Sequence, residues 1–147
     1  MQSKTSIQTA QELKNKGYKF SNIRVKIMQY LESSKTPLTP SEIIQKLLKD
    51  GLKPNKTTVY RELEMLSKEQ IVSELTLLDG KKRYEHSKLG HHHHLICNSC
   101  NKIECVKIPE DLEKLQAKIE KQNSFKIQNH LLEFFGLCQK CQLSINN

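Results

Sequence analysis

Two Cys-x-x-Cys pairs constrain the fold of the second half of this chain more than any other feature. The pairs are Cys97/Cys100 and Cys138/Cys141, with residues 101–137 between them. Two residues between the cysteines let both sulfurs turn onto one ion, so two such pairs can supply four thiolates to a tetrahedral zinc ion. Disulfides are one alternative, and a thioredoxin-like redox motif is another, but the latter requires a Cys-x-x-Cys that opens a helix. The pattern favours a closed, structural zinc site.

Four consecutive histidines, His91–His94, precede the first cysteine pair. Because side chains alternate along a strand, His92 and His94 would face one side while His91 and His93 face the other. Neutral imidazoles suit Zn(II), Fe(II), Ni(II) and similar ions. Candidate partners elsewhere in the chain are Glu85, Cys105, Glu113 and His130. We therefore predict metal binding here, in preference to a solvated polar loop or an internal tag.

The excess positive charge lies almost wholly in the first half of the chain. Residues 1–83 carry 16 Lys and Arg against 9 Asp and Glu, a net charge of +7, whereas residues 84–147 carry 8 against 7. A basic domain of this kind attracts polyanions, most often nucleic acid. A soluble, lysine-rich surface is the alternative explanation.

The same half has the element order of a winged helix-turn-helix. Thr39 and Glu42 form a capping box at the start of one helix, and Asn55 caps the next. Two strands then meet at Asp79-Gly80, a favoured hairpin turn. In a winged helix-turn-helix the last helix enters the DNA major groove; a generic helical bundle with a hairpin is the alternative. The faces of this helix outside its buried stripe carry Lys56, Thr57, Tyr60, Arg61 and Glu64.

The predicted fold class is α+β, with an N-terminal winged helix-turn-helix domain and a small α/β domain that holds a four-cysteine zinc site. We place the DNA-binding domain at residues 1–85, a linker at 86–92, and the metal-binding domain at 93–147. The last domain should contain two strands, a helix that buries Leu112, Leu115 and Ile119, and a final strand over residues 125–138. No apolar run is long enough for a membrane span or a secretion signal, so we expect a cytoplasmic protein.

Four segments resemble the ferric uptake regulator (Fur) family of metal-responsive bacterial repressors. They are "GYKFSNIR", "TTVYREL", "HHHHLICNSCNKIE" and "CQKC", and the resemblance covers roughly residues 12 to 141. It implies a non-enzymatic transcription regulator of metal-homeostasis genes that acts as a homodimer, or as a tetramer of paired dimers. On this resemblance residues 86–92 are a hinge and residues 93–147 are a dimerisation and metal-binding domain. It also implies an A·T-rich palindromic DNA operator as the partner and no membrane association.

The resemblance assigns six residues to DNA: Lys19, Arg24, Lys56, Thr57, Tyr60 and Arg61. On this assignment Tyr60 and Arg61 enter the major groove, where Tyr60 touches thymine methyls. Lys56 and Thr57 contact phosphates or base edges. Lys19 enters the A·T-rich minor groove, and Arg24 contacts a nearby phosphate.

The resemblance also divides the metal ligands between two sites. A regulatory hinge site takes Glu85, His92, His94 and Cys105, and an additional site takes His91, His93, Glu113 and His130. Three positions depart from the family. Pro37 stands where the family often has a histidine ligand, and His93 stands where several members have Asp. Cys105 stands where the family usually has a carboxylate, with Glu104 beside it as the alternative ligand.

The resulting hypothesis is a metal-dependent repressor with a structural Zn²⁺ and a regulatory Zn²⁺ or Fe²⁺, Mn²⁺ being a further candidate. A thiolate from Cys105 favours zinc over iron or manganese. The regulatory ion would fix the hinge and set two recognition helices roughly 34 Å apart, one DNA turn. One alternative is a peroxide sensor of the same family, oxidised at iron-bound histidines or at Cys105. A zinc-dependent hydrolase is another, but it lacks an HExxH helix.

Overall fold

Helices dominate the first half of the chain and a small sheet the second. A computed structural model describes residues 2–77, 79–108 and 111–145. The chain divides into two compact units, Met1–Gly90 and His91–Asn147, which we call unit 1 and unit 2. The division falls within the segment 86–92, whose role as a hinge stays a prediction.

Unit 1 has the element order predicted for a winged helix-turn-helix. Its elements are α1 (Gln2–Asn15), α2 (Asn22–Ser33), α3 (Pro40–Lys49), α4 (Lys56–Lys68), β1 (Val72–Thr76) and β2 (Lys82–His86), followed by a 3-10 turn at Ser87–Leu89. Both predicted helix caps are confirmed. Thr39 Oγ1 accepts from the Glu42 N–H at 3.2 Å while Glu42 accepts from the Thr39 N–H at 2.7 Å. The Asn55 side chain accepts from a backbone N–H in the first turn of α4.

The apolar core of unit 1 brings all four helices and the hairpin together. On α4 the residues Val59, Leu63 and Leu66 form a stripe that is fully buried. Burying an aliphatic side chain of this size contributes roughly 1.5–3 kcal/mol relative to exposure. The full core comprises Ala10, Leu13, Ile27, Met28, Leu31, Leu38, Ile43, Leu47, Val59, Leu63, Leu66, Val72 and Tyr84. This core fixes the orientation of α4, so the side chains on its other faces have fixed positions on unit 1.

The hairpin of β1 and β2 is attached to the core through one backbone bridge. Leu38 and Tyr84 exchange hydrogen bonds of 2.9 and 2.8 Å between their N–H and C=O groups. At the turn, Asp79 accepts two hydrogen bonds from the Arg83 guanidinium at 2.8 and 2.6 Å. Gly80 has a φ of +72°, a conformation that glycine adopts without strain. The predicted Asp79-Gly80 turn is therefore confirmed.

Unit 2 is a three-stranded sheet with two helices. Its elements are β3 (His93–Cys97), β4 (Ile103–Val106), α5 (Asp111–Asn123), β5 (Glu133–Gly136) and α6 (Gln139–Ile145). The sheet order is β4-β3-β5, with β3 antiparallel to β4 and parallel to β5. The last strand is shorter than the predicted 125–138, and α6 was not predicted. With helical unit 1 and mixed unit 2, the predicted α+β class is confirmed.

Apolar burial is sparse in unit 2. Among its described residues the buried ones are His93, His94, Cys97 and Cys141. The prediction that α5 buries Leu112, Leu115 and Ile119 is wrong for the single chain, where Leu112 is half-buried and the other two are 52% and 40% exposed. Histidine and cysteine side chains thus occupy the buried positions of unit 2, whereas aliphatic residues fill those of unit 1. Across the described residues, no helix combines the length and apolar character needed to cross a bilayer.

Candidate metal centres and DNA-binding face

The four paired cysteines form one cluster at the end of the sheet in unit 2. Their sulfur atoms all lie within 4.8 Å of one another. The parallel pairing places Cys97 opposite Gly136, so the chain reaches Cys138 just beyond the end of β3. Cys141 lies in the first turn of α6. The Cys100 and Cys138 sulfurs are 3.7 Å apart, far beyond the roughly 2.05 Å of a disulfide bond.

The protonation of this cluster fits a bound cation. The backbone N–H groups of Cys138 and Cys100 point at the Cys97 sulfur and lower the pKa of that thiol to about 6. A hydrogen bond from Ser99 acts to lower the pKa of Cys141, but the neighbouring thiols outweigh it and raise that pKa to about 11. The pKa values of the Cys97 and Cys141 thiols thus lie on opposite sides of neutral pH. A bound cation would allow all four to act as thiolates.

A second group of ligand atoms lies between β3 and β4. The ligand atoms of His92, His94 and Cys105 lie within 4.8 Å of one another, and we call this group the hinge cluster. His94 pairs directly with Cys105 across the two strands, and the His92 and His94 ring centroids are 5.0 Å apart. The neighbouring Glu104 is ion-paired with Lys102 instead. Between the two alternatives, the structure brings Cys105 to the histidines.

The fourth predicted ligand of the hinge site belongs to unit 1. Glu85 lies on β2, where it pairs with Ser73 of β1 and is half-buried. Its participation in metal binding stays a prediction. Pro37 offers no side-chain ligand atom, because its side chain is three methylene groups closed onto the backbone nitrogen.

A third group, the histidine cluster, comprises His91, His93 and His130 with ligand atoms within 4.8 Å of one another. The Nε2 atoms of His91 and His130 are 3.0 Å apart. Burial lowers the pKa of His93, and the two neighbouring imidazoles lower it further, which favours the neutral form that binds metals. Glu113 lines the same cavity of about 530 Å³ but does not belong to the cluster itself.

The four consecutive histidines are divided as strand alternation predicts. His91 packs edge-on against His93 at 4.7 Å between ring centroids, while His92 packs against His94. One short segment thus supplies imidazoles to two separate clusters. Sequence reasoning missed Ser99, whose hydroxyl bonds the Cys141 sulfur; its position inside the first Cys-x-x-Cys was the available signal.

The predicted DNA-binding residues of α4 lie on the surface of unit 1. Lys56, Thr57, Tyr60 and Arg61 are all exposed, and Tyr60 is 44% exposed despite its large apolar ring. They follow the Asn55 cap and occupy the side of the helix away from its buried stripe. Basic and aromatic side chains on one exposed helix face are the arrangement expected of a helix that enters the major groove.

The other two predicted DNA-binding residues are placed differently from each other. Lys19 is exposed in the segment between α1 and α2. Arg24 is buried on α2, and its Nε donates to Glu62 Oε2 at 2.7 Å. Its Nη1 donates to the Lys19 carbonyl at 2.8 Å. The sequence did not signal this pair, because Glu62 lies far away along the chain.

Comparison with known proteins assigns this arrangement to a family. The profile of the ferric uptake regulator family matches residues 15–135. The chain belongs to that family. A ferric uptake regulation protein of Legionella pneumophila is 33% identical over 137 residues, which cover 92% of this chain and 100% of the relative.

Solved structures agree with the assignment. The Helicobacter pylori ferric uptake regulator, described as having three functional metal binding sites, superimposes with a TM-score of 0.84 at 30% identity and covers 95% of this chain and 93% of its own. A zinc-bound manganese uptake regulator gives a TM-score of 0.71 at 28% identity over 88% of this chain and 98% of its own. Regulators named for iron and for manganese thus have about the same sequence identity to this chain.

Family membership fixes the general activity. The chain is a metal-dependent, DNA-binding transcriptional regulator of the ferric uptake regulator family, whose members bind DNA as dimers. Because these regulators are not enzymes, the hydrolase alternative is removed. The four-cysteine cluster and the histidine-containing clusters are typical of the metal sites in this family.

Proposed function

We propose that this chain is a dimeric, cytoplasmic repressor of metal-homeostasis genes that senses Zn²⁺ in preference to Fe²⁺ or Mn²⁺. The observation that carries the proposal is the composition of the hinge cluster. Cys105 faces His94 across the sheet, so the cluster offers a thiolate and two imidazoles. Soft sulfur and nitrogen donors suit zinc, whereas carboxylates suit manganese.

The cysteine cluster has a different task in this proposal. Four thiolates close the coordination sphere of Zn²⁺ and leave no open position for a reacting ligand. The cluster joins the end of β3 to the start of α6, and so it would hold the two ends of unit 2 together. Cys97, Cys100, Cys138 and Cys141 are therefore assigned to a structural zinc that stays bound while the regulatory ion exchanges.

Regulation would act through the hinge cluster. In the chain, Glu85 immediately precedes the predicted hinge at 86–92. His92 is the last residue of that hinge, and His94 lies after it. A metal ion that takes ligands from both sides of a flexible segment restricts that segment, which favours the dimer geometry that fits an operator. The histidine cluster, with Glu113 as a further ligand, would bind an additional ion. Metal and DNA affinities must then be coupled reciprocally, typically by ~1–3 kcal/mol per site.

The DNA contacts follow from the exposed face of α4. Tyr60 and Arg61 would read an A·T-rich palindrome in the major groove, with Lys56 and Thr57 on phosphates or base edges. Lys19 would enter the adjacent minor groove. The net charge of +7 over residues 1–83 would supply the salt-dependent part of the affinity.

The proposal is tested by counting metals and titrating the remaining capacity. The untagged protein is purified, its tightly held zinc is measured by elemental analysis, and Zn²⁺, Fe²⁺ or Mn²⁺ is added while binding to an A·T-rich palindromic duplex is followed. We expect one retained zinc per chain and DNA binding that is switched on by further Zn²⁺ at the lowest free concentration. A Cys105→Asp variant should lose that preference while it retains the structural zinc.

Two outcomes would contradict the proposal. DNA binding that is indifferent to every added ion would remove the sensor, and activation by Fe²⁺ at a lower free concentration than Zn²⁺ would remove the zinc assignment. Loss of DNA binding on peroxide treatment of the iron form, with an oxygen-sized mass increase on a histidine peptide, would favour the peroxide sensor instead. A matched sample of the zinc form treated in the same way serves as the control.

A further inference from the structure

The segment that carries Lys19 is bonded to the recognition helix α4 at two separate points. The first point is Glu69, the C-terminal cap of α4. Its carboxylate accepts from Lys16 Nζ at 2.7 Å and from the Tyr18 hydroxyl at 2.9 Å. The chain on the N-terminal side of Lys19 is therefore held against the end of α4.

The second point is Glu62, near the middle of α4. It receives two hydrogen bonds from the Arg24 guanidinium, from Nε at 2.7 Å and from Nη2 at 3.3 Å. The remaining terminal nitrogen, Nη1, donates to the Lys19 carbonyl at 2.8 Å. The planar guanidinium of Arg24 thus joins α4 to the backbone of Lys19, the residue proposed to enter the minor groove.

The two points differ in strength. In the Arg24–Glu62 pair the side chains are only 6% and 13% exposed, so water screens the charges little. In the Lys16–Glu69 pair the lysine is 62% exposed, and exposed ion pairs contribute little to stability. The guanidinium also lies 5.8 Å from the centre of the Tyr18 ring, which links the two points. The buried pair is the dominant connection.

We infer that Arg24 is a positioning residue for DNA recognition and does not itself bind phosphate. By holding the Lys19 carbonyl to Glu62, it makes the minor-groove lysine and the major-groove face of α4 one rigid surface. Arg24 suits this role because guanidinium donors lie in a fixed plane that can bond a carboxylate and a carbonyl together, which an ammonium group cannot reproduce. The inference rests on the proposed DNA contacts of Lys19 and α4.

The gain from such positioning is entropic. A free segment must lose backbone freedom when its lysine binds DNA, whereas an anchored segment has lost it on folding. Releasing the backbone of one residue should weaken DNA binding about 5–30-fold, because that factor corresponds to the cost of ordering one residue. The lost DNA affinity should be the part that Lys19 contributes, and the affinity for metal should be unchanged.

The test is a double-mutant cycle between Arg24→Lys and Lys19→Ala. Lysine at position 24 keeps the charge opposite Glu62 but cannot bond the carboxylate and the Lys19 carbonyl in one plane. The metal-loaded proteins are titrated with an A·T-rich duplex selected by the parent protein, and with the same duplex that carries 3-deazaadenine, which lacks the minor-groove N3 acceptor. We expect Lys19→Ala to weaken DNA binding markedly in the parent protein and much less in the Arg24→Lys protein. Replacing adenine by 3-deazaadenine should likewise weaken DNA binding by the parent more than DNA binding by the Arg24→Lys protein.

Arg83→Lys provides a matched control, because Arg83 is also buried and also forms a two-point ion pair, with Asp79, in the same unit. Its effect should be additive with that of Lys19→Ala. Amide hydrogen exchange in the free protein should rise at residues 19 and 20 for Arg24→Lys and not for Arg83→Lys. If Arg24→Lys does not fold, Glu62→Gln replaces it in the same cycle.

Additive effects of Arg24→Lys and Lys19→Ala, or unchanged exchange at residues 19 and 20, would overturn the inference. So would a parent protein whose affinity is unaffected by Lys19→Ala. In these cases metal-dependent DNA binding by the parent still stands, and so the proposed function does too. A parent protein that never binds DNA in response to metal would overturn both.

Discussion

Removal of zinc from the cysteine cluster should unfold unit 2 and leave unit 1 folded. Among the described residues of unit 2, the buried side chains are two histidines and two cysteines, whereas unit 1 has a continuous apolar core. A structural zinc contributes roughly 10–16 kcal/mol to the folding of a small domain near pH 7. Whole domains are stable by only roughly 5–15 kcal/mol. Loss of the ion therefore removes about as much free energy as the unit possesses.

Cys138→Ser is a sharp perturbation, because it removes one of the four sulfurs and leaves in place the backbone N–H that bonds the Cys97 sulfur at 3.3 Å. Hydrogen exchange read out by mass spectrometry resolves the two units. We expect amides of β3, β4 and β5 to exchange at the rate of unstructured chain while those of α2 to α4 remain protected. Zinc content should fall in parallel.

Cys105→Ser is the control, since it removes a thiol of the same unit that lies outside the cysteine cluster. It should retain the structural zinc and the protection of the sheet. The reasoning is refuted if zinc-free protein protects β3 and β5 as well as zinc-loaded protein does. It is also refuted if unit 1 loses its protection together with unit 2.

Three further predictions concern single residues. Tyr60→Ala should reduce discrimination between an operator and a scrambled duplex by roughly 1 kcal/mol without changing dimer formation; equal discrimination in a binding titration would exclude Tyr60 from base contact. Asp79→Asn should lower the unfolding free energy in urea by about 1–3 kcal/mol, because Arg83 loses its charged partner. The guanidinium of Arg83 holds the pKa of Asp79 below its usual range, so its stabilisation is fully present above the unfolded pKa of about 4 and is lost as pH falls toward the lower folded value. The gap between the parent and Asp79→Asn should therefore be constant near neutral pH and narrow only below about pH 4, and a gap that closes between pH 7 and pH 5 would contradict this.

Local rules predicted much of unit 1 from the sequence. The capping box of Thr39 and the cap at Asn55 act through neighbouring residues, so they can be recognised without tertiary information. The buried stripe of α4 follows from helical periodicity in the same way. Strand alternation likewise divided the four histidines correctly, because it depends only on the period of two.

Features that depend on distant partners were not predictable in this way. The apolar run after residue 124 favoured one long strand, but only Glu133–Gly136 pairs with β3, and the chain then turns into α6. The periodicity of α5 predicted burial of Leu115 and Ile119, but within one chain nothing in the described residues covers them sufficiently. The burial of Arg24 depends on Glu62, a residue on another helix.

Because the four consecutive residues His91–His94 are all the same, deletion of any one of them has the same result. Loss of any one of their codons gives the same protein, in which Gly90 moves into the place of His91. Pairing of β3 with β4 and β5 runs from His93 and His94 to Cys97, so the register downstream would be kept. The hinge cluster would then retain both imidazoles, and the histidine cluster would lose its exposed member. A replication error at this repeat would therefore remove one imidazole of the histidine cluster and spare His92 and His94, the pair proposed to carry regulation.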